Sequence, residues 1–256
     1  MKVLIVFSSN GIGGAEKSIT RMSYYTNNNL NTNYVLATIG GEGDWSEWVR
    51  SLKAKYITTL PGKGNLRDVI KITSYIRRHQ FDVVYVIGLR LSIIIRFLKL
   101  VFNMKFVLVH GIRWVPSGQT KLDIITRFTE KIFNKLIDGY IVNSKQSEKV
   151  LKEICRINQK KIFTIYNGLE KTPENKRIRN IKRILTIANL SPRKGYIEYL
   201  SVIKEVILKH PDVKFVFVGV DNMNGKVLEL IKRYNLSDYI EYLGFVKNVK
   251  EELKKS

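Results

Sequence analysis

A chain of 256 residues exceeds one comfortable core, and at roughly 100 to 200 residues per domain it reads as two units. Apolar residues at 45% and aromatics at 11% exclude a disordered or low-complexity protein, while a formal charge of +22 and a pI near 10.0 direct attention to polyanionic partners: nucleic acid, an anionic membrane surface or phosphorylated ligands. No zinc spacing, aromatic RNP-like strand or isolated basic arm accompanies the charge, so nucleic acid is set aside as a partner.

Cys155 is the single cysteine, which rules out an intrachain disulfide or a thiol metal cluster and fits a reducing, cytoplasmic compartment. The apolar run VLIVF at the start is too short for a signal-peptide core. The longest apolar stretch, LSIIIRFLKLVF at 91–102, is broken by Arg96 and Lys99 and falls short of the ~20 residues a membrane span needs.

In chain order, residues 2–7 read as a buried strand, followed by the glycine-rich loop SSNGIGGAEKS and a helix over 15–27. Gly11, Gly13 and Gly14 permit close backbone approach, and the helix start offers unpaired N–H groups to a phosphate. The loop does not match a dinucleotide fingerprint, because Glu16 stands where the third glycine belongs and no acid closes the strand at 34–39. A short helix at 44–52, a strand at 56–59, a PGKG turn and a helix at 65–79 come next. A strand at 81–86 then leads into a helix over 88–103 whose polar residues Ser92, Arg96, Lys99 and Asn103 form a narrow stripe. No Asp or Glu occurs from Val83 to Leu122. Two readings stand: a core helix with one wetted edge, or a helix leaning on anionic lipid.

Residues 105–109 predict another buried strand with His110 at its carboxyl end, a place where a histidine is either structural or chemically active. The helix at 121–137 carries Arg127, Lys131 and Lys135 as a basic ridge. A strand at 140–143, a helix at 144–154 and a strand at 161–166 complete a first domain, residues 1–170. The segment KTPENKRIRNIKR, 171–183, holds six cations and one acid and reads as a basic linker. From Ile184 a second unit begins: strand 184–188, a polar loop with Asn189, Arg193 and Lys194, and a helix over 196–209. Strands at 214–218 and 239–243 end at Gly219 and Gly244, on either side of a helix over 225–234. Alternating strands and helices throughout mean parallel sheets. Ligands sit outside the carboxyl ends of such strands, so the two cations of the 189–194 loop call for an anion.

GGAEKS after the first strand, VLVH at a central strand, IYNGLE before the linker and LTIANLSPRKG after it together resemble glycosyltransferase family 4. The resemblance implies an α/β protein of the GT-B type: two Rossmann-like domains facing one another, a nucleotide-sugar donor of UDP or GDP type held mainly by the second, the acceptor by the first, and no metal or other cofactor. By position, Gly13 and Gly14 would approach the donor phosphates or the transferring sugar, His110 would contact that sugar, and Lys194 would bind the pyrophosphate. Gly219 and the run Gly244, Phe245 and Val246 would flank the nucleotide. Where the family often has GRLxxxKG this chain has ANLSPRKG, so Asn189 replaces a cation that Arg193 could supply only by pointing inward. The family's donor-binding glutamate motif would lie past residue 256, leaving 184–256 as a partial second domain.

The function so implied is a retaining, metal-independent transfer of a sugar to a glycolipid or surface-polysaccharide precursor, at the inner membrane face, with Arg96, Lys99, Arg127 and Lys131 toward an anionic membrane surface. The alternative is a truncated, non-catalytic relic that binds lipid or nucleotide without turnover.

Overall fold

The computed structural model describes residues 1–8, 11–29, 32–39, 41–52, 57–60, 66–168, 182–246 and 248–255. The PGKG turn and most of the basic linker lie outside these residues. The chain divides into two compact units, Met1–Glu170 and Lys171–Ser256.

The first unit runs β1 (Lys2–Phe7), α1 (Gly14–Asn29), β2 (Asn33–Ile39), α2 (Asp44–Ser51), β3 (Ile57–Leu60), α3 (Leu66–His79), β4 (Val83–Ile87), α4 (Leu89–Val101), β5 (Val107–Ile112), α5 (Lys121–Phe133), β6 (Gly139–Val142), α6 (Lys145–Lys149) and β7 (Ile162–Thr164). Its sheet is parallel throughout, in the order β3-β2-β1-β4-β5-β6-β7. Because a parallel sheet is covered on both faces, β1 is a continuous apolar run whose alternate side chains enter two cores. Leu4 and Val6 pack with Ile76 of α3, Ile95 of α4 and Tyr140 of β6. Val3, Ile5 and Phe7 pack with Ile19 of α1 and Trp45 and Val49 of α2.

The second unit runs β8 (Arg183–Ile187), α7 (Tyr196–Lys209), β9 (Lys214–Val218), α8 (Lys226–Arg233), β10 (Ile240–Gly244) and α9 (Val249–Lys254), with a parallel sheet ordered β10-β9-β8. That order is one half of a doubly wound sheet. Phe215 and Phe217 of β9 pack against Tyr196, Tyr199 and Leu200 of α7 and Ile231 of α8. Both units are therefore α/β with parallel sheets, as the alternation of elements predicts.

Helix α5 departs from ordinary amphipathicity. Its inward face is polar, with Asp123, Thr126, Thr129 and Glu130 buried, and its outward face is apolar, with Leu122, Ile124, Ile125, Phe128 and Ile132 exposed. What holds the polar face inward is a buried cluster. Arg96 of α4 donates through Nη2 to both carboxylate oxygens of Glu130 at 2.6 and 2.7 Å, and the Tyr140 hydroxyl donates to the same carboxylate at 2.7 Å. His110 Nδ1 stands 3.0 Å from it. Arg96 is 1% exposed and Glu130 0%, so neither charge would survive without the other. Burial alone would raise the Glu130 carboxyl, but His110, Arg96 and Tyr140 more than offset it and hold the group down at about 2.

This corrects the expectation that Arg96 faces a membrane: Ser92 and Arg96 point into the core, where the compensating acid lies on the neighbouring helix, while Asn103 at the other end of the stripe is exposed. Of the other three cations in that group, Arg127 turns back to donate to the carbonyls of Pro116 and Ser117, Lys99 pairs with Asp138 at 2.6 Å, and Lys131 is exposed.

All three tryptophans, Trp45, Trp48 and Trp114, lie in the first unit, so their fluorescence follows its unfolding alone. Glu130→Gln should lower that unit's stability at neutral pH by about 3 to 5 kcal/mol in urea titrations, because it strands the Arg96 charge. In the parent chain the depressed carboxyl adds stability that is complete above the unfolded value of 4.5 and is lost as pH falls toward 2. The variant should lack that segment of the pH profile, and an unchanged acid profile would remove Glu130 from the account. In the second unit Gly219 has φ 151°, and a Cβ there would collide with the Ala188 carbonyl oxygen. Gly219→Ala should therefore cost more than ~1 kcal/mol. Amide exchange in β8 and β9 should accelerate while the tryptophan transition stays in place.

Candidate functional site

In the first unit the chain reverses its winding between β1 and β4, and the crevice at their carboxyl ends is the expected ligand position of such a sheet. The backbones close tightly there. Ser8 N donates to Ile87 O at 3.1 Å, and Gly88, at φ 111°, lies where a Cβ would strike the Ser8 side chain. Gly13 and Gly14 are exposed at the start of α1; the Gly13 carbonyl accepts from Lys17 N at 3.1 Å, and Gly14 has no atom within 4 Å of a Cβ position. The Glu16 carboxylate folds back toward Gly13, so an anion approaching this helix start meets a negative charge as well as free N–H groups.

β5 runs three residues further than the sequence suggests, to Ile112. His110 is consequently mid-strand, paired in register with Val86 and Tyr140, and its side chain points to the same face as Leu108 and Ile112. It is fully buried beneath α5. Its Nδ1 lies 3.0 Å from the Glu130 carboxylate and 3.2 Å from Arg96 Nη2, so the ring nitrogen sits between an acceptor and a donor. Nε2 has no hydrogen-bond partner among the described residues. The expectation of a histidine at an open strand tip is corrected to a histidine inside the Arg96–Glu130 cluster.

The tip that β5 does present carries Arg113 and Trp114, which sequence reading passed over. Arg113 Nη2 donates to Asn167 Oδ1 at 2.8 Å, Ser18 of α1 donates to the same oxygen at 3.3 Å, and Asn143 Nδ2 donates to the Arg113 carbonyl at 3.3 Å. One arginine thus ties the tips of β5, β6 and β7 to the helix that follows the glycine loop. A cation directly after an apolar strand was the available signal, and Asn167 belongs to the IYNGLE string.

In the second unit the loop after β8 is fixed at both ends and free in the middle. The Tyr196 hydroxyl, at the first turn of α7, donates to the Ala188 carbonyl at 2.7 Å, and the Tyr196 ring lies 5.0 Å from that of Phe217. Burial pushes the Tyr196 hydroxyl up to about 12, so it remains a donor. Asn189 Oδ1 accepts from Val220 N at 3.0 Å, which commits Asn189 to the backbone of the adjacent tip. Between these anchors Pro192–Lys194 forms a single 3-10 turn with Arg193 and Lys194 exposed. Among the described residues neither cation has a hydrogen-bond or ion-pair partner.

Gly219 and Gly244 meet at the neighbouring tips, with Gly219 N donating to Gly244 O at 2.8 Å and the Tyr242 hydroxyl donating to Gly219 O at 2.9 Å. Phe245 beside them is 62% exposed and Val246 half-buried. The structure therefore brings Asn189, Arg193, Lys194, Gly219, Gly244 and Phe245 to one edge of the second sheet, with two unpaired positive charges and an exposed aromatic. Such an edge is suited to a phosphorylated ligand with a planar group. Among the described residues no group of His, Cys, Asp and Glu could hold a metal ion, and no helix is long and apolar enough to cross a membrane.

The fold and these tips have counterparts. The chain is similar to an uncharacterized glycosyltransferase of Methanocaldococcus jannaschii, 27% identical over 173 residues, a match that covers 62% of this chain and 42% of that protein. It spans less than half of that relative's length. Among solved structures it superposes on HepE of Anabaena in complex with UDP and glucose with a TM-score of 0.76, at 16% identity, over 96% of this chain and 70% of that one. A Staphylococcus aureus TarM variant in complex with fondaparinux, α-GlcNAc-glycerol and UDP gives 0.74 at 14% identity, over 99% and 79%. At these identities the structures establish the GT-B fold. The model of "Glycosyl transferases group 1" matches residues 170–256. The model of "Glycosyltransferase Family 4" matches residues 12–172, more than half of the sequence, and the chain belongs to that family.

Proposed function

We propose that the protein is a glycosyltransferase that moves a sugar from a UDP- or GDP-linked donor to a glycan or lipid-linked precursor of a glycolipid or surface polysaccharide. It acts in the cytoplasm at the inner face of the membrane, with retention at the anomeric carbon and without a metal ion. The observation that carries this reading is the pair of unpartnered cations Arg193 and Lys194 on a turn pinned by Tyr196 and Asn189. Family membership and the UDP bound to HepE and TarM support it.

The chemical argument is electrostatic. When a glycosidic bond to a diphosphate breaks, negative charge accumulates on the leaving phosphate oxygens, and groups already positioned there lower the barrier without reorganising. Lys194 supplies a point charge to the diphosphate and Arg193 a second. Gly219 and Gly244 admit the nucleotide close to the backbone, and Phe245 offers a face for the base. Gly13 and Gly14 stand exposed at the start of α1 in the first unit, where a substrate group can approach the backbone. His110, bound to Glu130, acts through the placement of β5 and not by direct contact. The retaining course and the independence of metal are drawn from the family. Anomeric configuration of the product by NMR and activity in excess EDTA test them.

Lys194→Ala in the full chain should lower turnover about 10²-fold or more, with an unchanged unfolding transition, because the lost interaction strengthens as charge develops. Titration with UDP- and GDP-sugars accompanies the assay. Full activity in the variant would take Lys194 out of the mechanism. Donor binding with no product from any acceptor would favour a nucleotide-binding module in place of an enzyme.

A further inference from the structure

We propose that the outward face of α4 and α5 is a docking surface for an anionic lipid bilayer, with the apolar side of α5 entering the headgroup boundary and its lysines on lipid phosphates. The proposal deepens the membrane part of the function above by naming the surface that makes the contact. It rests on three features of the first unit.

The first is the inverted polarity of α5. A helix that turns Glu130 and Asp123 inward and Ile124, Ile125 and Phe128 outward is not arranged for water. Phe97, Leu100 and Val101 of α4 are also exposed, and an edge contact of 5.8 Å between the Phe97 and Phe133 rings joins the two helices. A contiguous apolar area of this kind marks an interaction site.

The second is charge. From Val83 to Ile137 the only acids are Asp123 and Glu130, and both are buried. Lys121 and Lys131 stand exposed on α5 among the apolar side chains, and Lys135 is exposed on the 3-10 turn that follows it. The surface is apolar and cationic, and Asp138, the next acid in the chain, is paired with Lys99 of α4, which complements a layer of phosphate headgroups over acyl chains. A second copy of the chain fits less well. A twofold contact brings like patches together and would set lysines against lysines in a molecule of net charge +22. A nucleic acid would use the lysines and leave Phe128 and Ile125 uncovered.

The third is length. Helices α4 and α5 have 13 residues each, about 20 Å at 1.5 Å per residue, against a hydrocarbon core of about 30 Å. They lie along an interface and do not span it.

The test is flotation of the full chain with phosphatidylcholine vesicles, with and without about 30% phosphatidylglycerol, in the absence of donor and acceptor. The expected result is binding to the anionic vesicles only, weakened by salt. Ile125→Ser/Phe128→Ser and Lys131→Glu/Lys135→Glu should each reduce the bound fraction at least tenfold. These positions are exposed, so the tryptophan unfolding transition should not move. Absence of flotation with anionic vesicles overturns the proposal. So does retention of full binding by the serine pair, or light scattering that shows a dimer which the serine pair dissociates without vesicle binding by the parent. Nucleotide-sugar affinity is measured separately on the same protein, so loss of docking and loss of the transferase reading are distinguishable.

Discussion

Parallel pairing is the constraint from which the rest of this molecule follows. A parallel strand cannot be reached by a tight turn, so each connection becomes a helix laid across the sheet, and both sheet faces are buried. All carboxyl-terminal tips of a sheet then emerge along one edge. Residues far apart in the sequence are collected there without any dedicated interaction: Gly13, Arg113, Asn143 and Asn167 in the first unit, and Asn189, Lys194, Gly219 and Gly244 in the second. The close approach of Gly88 to Ser8 and of Gly219 to Ala188 shows how little space the tips leave for side chains where two strands meet. Chemistry at these edges falls to the loops, and the strands hold them in place.

The second organising element is the ion pair between Arg96 and Glu130, which decides what α4 and α5 present outward. A carboxylate and a guanidinium buried together, with a phenol and an imidazole on the same oxygens, cannot be rotated to the surface without exposing aliphatic faces to the core. The Arg96 Nε and Nη1, Ser92 Oγ and His110 Nε2 atoms find no hydrogen-bond partner among the described residues. The cluster is therefore held by charge compensation at one carboxylate more than by a complete hydrogen-bond network. Its consequence at the surface is the apolar outer stripe of α5.

Most of the strands were legible because a doubly buried strand is a short apolar run bounded by polar or glycine residues, as in KVLIVF, VVYVI and KFVFV. Two misreadings share one cause. Periodicity alone gives the stripe Ser92, Arg96, Lys99 and Asn103 a wetted or lipid-facing edge, since polar residues on a helix usually face outward. The acid that reverses this for Arg96 lies 34 positions away on another helix, and periodicity within one element carries no sign of it. The apolar run 105–109 ends just before His110 and so puts it at a strand tip. Glu130 gives it a buried partner, and β5 runs on through Gly111 to Ile112. In both cases a long-range contact with Glu130 overrode the local pattern. The candidate cations of the second unit were legible because they depend only on local order: strand, turn, helix.

Asn189 shows why a missing charge at one position need not be made good by its neighbour. In this chain the Asn189 side chain holds Val220 N, so it braces the β8 and β9 tips and presents no cation to a ligand. Arg193 sits on a separate 3-10 turn whose orientation is set by Tyr196 bonding back to Ala188 and by Pro192 at its start. Here an amide braces the tips, and the exposed side chains of Arg193 and Lys194 carry the charge. Stabilisation of a departing diphosphate depends on how rigidly the charges are held before the reaction. The anchored ends of the turn fix the Cα positions of Arg193 and Lys194, while their long side chains remain free to adjust. Of the two, Lys194 adjoins Gly195 and lies two residues before the Tyr196 anchor, so the loop geometry constrains its starting point more tightly than that of Arg193.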